Sequence, residues 1–200
     1  MSPKIGLSLS TLVQTAADMA DAQGLDAVSL ASLARELGVR SPSLYNHVEG
    51  LPDLRIQLAV HGYRCLHRAM TEAVVGRAGD DALHRMGDAY LTFAREHPGL
   101  YEATFRSDPR DTSVKEAGSP IVDLILQVLE VYDLDEETAL HVVRGLRSIL
   151  HGFTSLEQVG GFRLPLDLDV SFHLLIDAYL TGVREASTKE PRSYLPRGEV

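Results

Sequence analysis

Apolar residues recur along this chain at spacings of three and four with polar residues between them, so nearly all of it reads as helix. Leu12, Val13, Ala16, Ala17, Met19 and Ala20 form one stripe; Ser8 or Ser10 can cap its start and Gly24 ends it. Ser29 caps a second stretch, where Leu30, Leu33, Ala34 and Leu37 fall at i, i+3, i+4 and i+7, and Gly38 stops it. Ser41 and Pro42 then open a third, short helix that runs to about His47, with serine at the cap and proline in the first turn. Longer helices are predicted over 53–75 and 81–97, a short one over 100–105, and a polar loop over 106–119. Further helices follow over 120–132, 137–159 and 167–186, the middle one opening on the acidic run 133–137. Only short stretches, such as 162–168, could pass for strand. The predicted fold is therefore all-α, with a three-helix N-terminal domain over 1–52, a larger helical domain over 53–187 and a flexible polar tail over 188–200.

Composition narrows the class. At 200 residues, 44% apolar and 24% charged, the chain has the makings of a globular core. The first ten residues carry one charge, Lys4, and no apolar run, and no later stretch approaches the roughly 20 apolar residues of a membrane span. One cysteine, Cys65, allows neither an internal disulfide nor a multi-cysteine zinc module. A cytoplasmic protein without a membrane partner is the expectation. Net charge is −9, which opposes binding to a polyanion unless a local surface escapes the balance. Residues 1–50 hold three basic and five acidic groups, so most of the acidity lies beyond them.

Residues 29–48, SLASLARELGVRSPSLYNHV, form a helix-turn-helix pattern. Two short helices meet at Gly38-Val39-Arg40; Ala34 leaves room for the crossing and Gly38 can take the left-handed turn. Leu30, Leu33, Leu37, Val39, Leu44 and Val48 supply a small core, and Ser41, Ser43, Tyr45, Asn46 and His47 are left to face outward. Short hydroxyls, an amide and an aromatic hydroxyl suit phosphates and base edges in a major groove. The alternative is a plain helical hairpin.

This stretch resembles the DNA-binding motif of tetracycline-repressor-like (TetR) transcriptional regulators, above all in Leu44-Tyr45-Asn46-His47-Val48. Leu150-His151-Gly152-Phe153, with Ser155-Leu156-Glu157, resembles the C-terminal domain type named for a Trp-His-Gly motif, in a chain that has no Trp. The resemblance implies that Ser29 and its helix start approach phosphate, that Arg40, Ser41 and Ser43 lie at the groove, that Tyr45 and His47 touch phosphate, and that Pro42 and Asn46 lie near bases. Lys4 and Arg55 are further candidates, Arg55 standing one turn beyond Leu51-Pro52 where relatives often carry lysine.

In the larger domain, Gly145, Ser148, Gly152, Ser155 and Val159 make one mostly small stripe, and Ser171, Leu175, Ala178 and Gly182 make another. Two such helices from each of two protomers can form a four-helix interface, and twofold symmetry suits a palindromic operator. The alternative is packing within one chain. Tyr63, His67, Tyr90, Phe93, Tyr101, Phe105, Arg144 and His151 combine apolar bodies with polar tips, as small-molecule pockets do. His61 and Cys65, four apart, lack companion metal ligands, so no metal and no cofactor is expected. None of the nucleophile-elbow, phosphate-loop, dinucleotide or zinc-protease motifs is present, so an enzyme is not expected. The function expected is a homodimeric, double-stranded-DNA-binding repressor released by an unknown small molecule; a protein-binding adaptor and a metal-responsive regulator are the alternatives.

Overall fold

The computed structural model describes residues 7–108 and 110–187. Lys4 and the tail expected over 188–200 lie outside the described residues. The α-helices are α1 (Leu9–Gln23), α2 (Leu30–Glu36), α3 (Leu51–Val74), α4 (Gly79–Glu96), α5 (Pro98–Arg106), α6 (Thr112–Leu129), α7 (Glu136–Gln158) and α8 (Leu168–Ser187). Short 3-10 helices occupy Leu25–Ala27, Ser41–Asn46 and Glu130–Tyr132. No strand occurs among the described residues; 162–167 is irregular.

Local chemistry explains most boundaries. Ser8, not Ser10, caps α1, its hydroxyl accepting the Thr11 N–H at 3.1 Å. Ser29 and Ser32 form a reciprocal capping box on α2. Asp135 caps α7 through the Thr138 N–H at 3.0 Å. Gly38 takes φ +64, the left-handed conformation the tight turn requires.

Two expectations need correction. The third element is a 3-10 helix of six residues, not α. With Pro42 in its first turn and the stop at Gly50 close behind, it closes through i→i+3 bonds such as Ser43 N–H to the Arg40 carbonyl, 2.8 Å. The loop expected over 106–119 shrinks, because α6 begins at Thr112 and carries Pro120 inside it. The Asp111 carboxylate accepts the N–H groups of Ser113 (2.9 Å) and Val114 (3.2 Å) and so starts the helix early. Pro120 has no N–H for the Glu116 carbonyl, and the Ser119 hydroxyl donates to that carbonyl instead, at 3.2 Å.

The chain forms two compact units. One holds the chain up to Glu72 together with Ala89–Ile121; the other holds Ala73–Asp88 together with the chain from Val122. The helix-turn-helix expected over 1–52 is thus part of the first unit. That unit buries Leu12 and Ala16 of α1, Leu33 of α2, Leu44, and Leu54 and Leu58 of α3. A smaller cluster joins Ala59 and Val60 of α3 to Val114 of α6, with Tyr63 and Ala117 packed against it. The second unit buries Leu83 and Met86 of α4, Leu146 and Leu150 of α7, and Phe172, Ile176 and Leu180 of α8. Phe153 packs there against Phe162 and Phe172 at tilted angles, its ring centroid 4.8 and 5.1 Å from theirs.

Candidate functional site

The helix-turn-helix presents its polar residues as its local geometry dictates. Leu44 and Val48 point into the core and are buried, which turns the rest of the 3-10 segment outward. Tyr45 is 60% exposed; Arg40, Pro42 and Asn46 are exposed, and Ser41, Ser43 and His47 are half-buried. One short segment therefore brings together an aromatic hydroxyl, an amide, an imidazole, two hydroxyls and a guanidinium. Ser29 is half-buried, and its hydroxyl is occupied by the Ser32 N–H at 3.1 Å. Ser32 returns the bond, its Oγ accepting the Ser29 N–H at 2.9 Å; the sequence signal for this partner is the serine three residues past the cap. Asp53 steadies the start of α3 by accepting the Glu49 N–H at 2.8 Å.

Arg55 has a competing partner. Its Nη2 lies 3.7 Å from Asp26 Oδ1, and Arg106 lies closer to the same oxygen, at 3.0 Å. The Arg106 guanidinium, with a smaller contribution from Arg55, holds the Asp26 carboxyl below its usual range. An ion pair at this surface is weak.

The pocket candidates fall into both units. In the first, Tyr90 and Tyr101 are buried with their hydroxyls hydrogen-bonded at 3.0 Å and their rings edge-on. Phe105 continues the row, edge-on to Tyr101 at 5.3 Å, and is 43% exposed. Phe93 is buried beside the His97 ring, Tyr63 packs on α6 at Gly118, and His67 faces the Thr71 hydroxyl at 3.4 Å. Arg144 and His151 belong to the second unit, on α7, exposed and half-buried respectively. Burial, helped by Arg147, pushes the His151 imidazole below its ordinary range.

The small stripes are used in two ways. Gly145 was expected to make room for another helix, and it does so within the chain: a Cβ there would sit 2.5 Å from the Tyr179 hydroxyl. That hydroxyl donates to the Val142 carbonyl at 2.6 Å. Gly152 and Gly182 instead have open space around the missing Cβ. Ser148 is exposed, Ser155 and Ser171 are half-buried, and Ala178 and Leu175 are exposed. Val159 is 79% exposed. The sequence reading missed Leu156, Leu164, Leu166, Val170 and Leu174, all exposed in the same α7–α8 region. The available signal was that apolar residues of α8 encircle it instead of keeping to one stripe. Also missed were two imidazole–carboxylate pairs joining α4 to α8, His84 with Asp177 at 2.8 Å and His173 with Asp88 at 2.6 Å.

His61 Nε2 and Cys65 Sγ are 3.7 Å apart on α3, and burial lowers the imidazole and raises the thiol. Among the described residues no group of three or more His, Cys, Asp or Glu side chains is arranged to hold a metal ion. No described helix is long and apolar enough to cross a membrane.

Comparisons with known proteins agree with this architecture. The family model described as "Tetracyclin repressor-like, C-terminal domain" matches residues 83–179. The HTH-type transcriptional regulator YobS of Bacillus subtilis (strain 168), itself uncharacterised, is 41% identical over 184 residues, 92% of this chain and 96% of its own length. A solved Rhodococcus sp. RHA1 protein of unknown function has the same fold, with TM-score 0.78 at 24% identity over 91% of this chain and 98% of its own. So does the Streptomyces coelicolor TetR family protein ActR, solved in complex with (S)-DNPA, with TM-score 0.64 at 20% identity over 90% of this chain and 98% of its own. The chain belongs to the tetracycline-repressor-like (TetR) family of helix-turn-helix regulators. It is a DNA-binding transcriptional regulator, and the family role is regulatory, not catalytic.

Proposed function

We propose that this regulator is a cytoplasmic homodimeric repressor that a small molecule releases from a palindromic operator. The observation that carries the DNA-binding surface is the 3-10 segment Ser41–Asn46, which seats buried Leu44 while holding Tyr45 60% exposed beside Arg40, Ser43 and Asn46. In this reading Arg40, Ser41 and Ser43 line the groove, Pro42 and Asn46 approach bases, and Tyr45 and His47 reach phosphates. Ser29 serves through the capped start of α2, and Arg55 exchanges Asp26 for phosphate. Lys4 adds a further phosphate contact.

The second protomer covers the exposed apolar surface of α7 and α8, with Gly152, Val159, Leu175, Ala178 and Gly182 at the crossing. Burying such area supplies the association energy, roughly 25 cal/mol per Å² before the costs of association. The tyrosine and phenylalanine row of α4 and α5 supports a largely apolar ligand with one or two polar groups, and the complex of ActR with (S)-DNPA is one precedent among similar folds. A ligand that binds the DNA-incompetent arrangement more tightly shifts the population off the operator. The test is a mobility shift on a duplex spanning the DNA upstream of its own coding region, with the full chain and with Tyr45→Ala and Arg40→Ala. A shift that both variants weaken supports the reading. A shift that neither variant changes overturns the assigned surface.

A further inference from the structure

Helix α5 opens without a cap of its own. Its N-cap residue, His97, makes no side-chain capping bond, and Pro98 in the first turn has no N–H to offer. The N–H of Leu100 is satisfied from far along the chain: Asp21 Oδ1 accepts it at 2.8 Å, across 79 residues of sequence. The same carboxylate takes the His97 imidazole, with Nδ1 donating to Oδ2 at 2.8 Å. Asp21 sits near the C-terminal end of α1, the first helix of the helix-turn-helix domain, and its side chain is only 18% exposed. A side chain of the DNA-reading domain thus serves as the N-cap of a helix outside it.

Two further contacts turn this cap into a joint. A Cβ on Gly99 would run into the backbone carbonyl of Ala20, so α5 meets α1 backbone to backbone directly beside Asp21. At the other end of α5, Arg106 pairs with Asp26 in the 3-10 turn that follows α1. Helix α5 is therefore fastened to the reading domain at both ends. Its middle carries Tyr101, buried and hydrogen-bonded to Tyr90 of α4.

We propose that Asp21 is a positioning residue for DNA binding, fixing the orientation of the reading domain on α5. The carboxylate touches no DNA; it holds α1 in register with α5. Charge and acceptor both contribute: asparagine keeps an acceptor for the Leu100 N–H and loses the charged partner of His97, and alanine loses both.

The test measures orientation directly, in the full chain. Spin labels are placed on Glu36→Cys of α2 and Glu116→Cys of α6, both exposed, in a Cys65→Ser background, and the intrachain distance distribution is recorded. The unsubstituted background should give one narrow distribution. Asp21→Ala should at least double its width, Asp21→Asn and His97→Gln should broaden it less, and Asp18→Ala, an exposed position about one turn earlier on α1, should leave it unchanged. If Asp21→Ala does not fold, Asp21→Asn and His97→Gln carry the test. Widths equal to the background in every folded variant overturn the proposal.

A second readout rests on the operator reading above: Asp21→Ala should bind the upstream duplex at least tenfold more weakly, and Asp21→Asn about threefold. It should also lose discrimination against duplexes with one base pair inserted between half-sites. An Asp21→Ala protein that retains that discrimination counts against the joint. If the unsubstituted protein shifts no DNA, the operator reading fails and the distance comparison still decides the role of Asp21.

Discussion

The 3-10 segment Ser41–Asn46 and the helices α7 and α8 both hold side chains out to solvent, but of opposite kinds. The first, with its N-cap residue Arg40, exposes Pro42, Tyr45 and Asn46 over a single buried leucine. The second exposes Leu156, Val159, Val170, Leu174 and Leu175 around open glycines. A polar surface with donors and acceptors of short reach is already solvated and gains from a partner that offers specific hydrogen bonds. An apolar surface of this size is not satisfied by water and gains from being covered. In the proposed reading the difference separates a surface for recognition from one for assembly, and it can be broken experimentally.

The largest effect should come from the apolar side. Leu174→Asp with Leu175→Asp puts two charges into the proposed protomer contact. Light scattering should then show a monomer at micromolar concentration, with affinity for the upstream duplex lower by about a hundredfold as one of two half-sites is lost. A dimer that survives both aspartates moves the contact elsewhere. Gly145→Ala sharpens the same side from within. Its methyl meets the Tyr179 hydroxyl, so thermal unfolding should show a loss of about 1–3 kcal/mol with the oligomeric state unchanged.

Tyr45→Ala probes the polar side. Affinity for the duplex should fall about tenfold, near 1.4 kcal/mol, and the melting temperature should stay within about 2 °C, because the residue is exposed. The salt dependence of binding extends this comparison. With three basic groups in residues 1–50, the plot of log affinity against log salt should be shallow, roughly two to three counterions per protomer. A slope twice as steep would reveal a cationic surface outside the helix-turn-helix.

The smallest effect is on acid stability. Burial, assisted by Arg68 and Arg64, holds the His61 imidazole below its ordinary range, as burial and Arg147 do for His151. Below the ordinary histidine value of about 6.5 the unfolded chain takes up these protons and the folded chain does not, so stability falls as pH drops from there toward the lowered folded values. His61→Gln and His151→Gln should each reduce the melting-temperature difference between pH 7.5 and pH 5.5. An unchanged difference in both variants would assign the acid sensitivity to other groups.

Most of the fold was legible because caps and periodicity are local. Ser8, Ser29, Gly24 and Gly38 mark their boundaries within four residues of the groups they serve. The start of α6 was not legible, because Asp111 lies in a run of polar residues and Ser119 repairs the break that Pro120 announces. The polar face of the helix-turn-helix followed from a short motif. The joint at Asp21 did not, since its partners lie 76 and 79 residues away and nothing near Asp21 marks it as a cap for another helix. Gly145 was ambiguous for a related reason: smallness in a helix says that something packs closely, and only the fold says that the visitor is Tyr179.

The 3-10 geometry of Ser41–Asn46 has a practical consequence for retargeting. With three residues per turn, side chains at i and i+3 stand in columns instead of spiralling around a face. Leu44 anchors one column with Ser41; the other two are Pro42 above Tyr45 and Ser43 above Asn46. Each outward column is a pair of adjacent positions. A library that varies 42 with 45, or 43 with 46, should therefore change one stretch of sequence preference at a time, leaving Leu44 to keep every member folded.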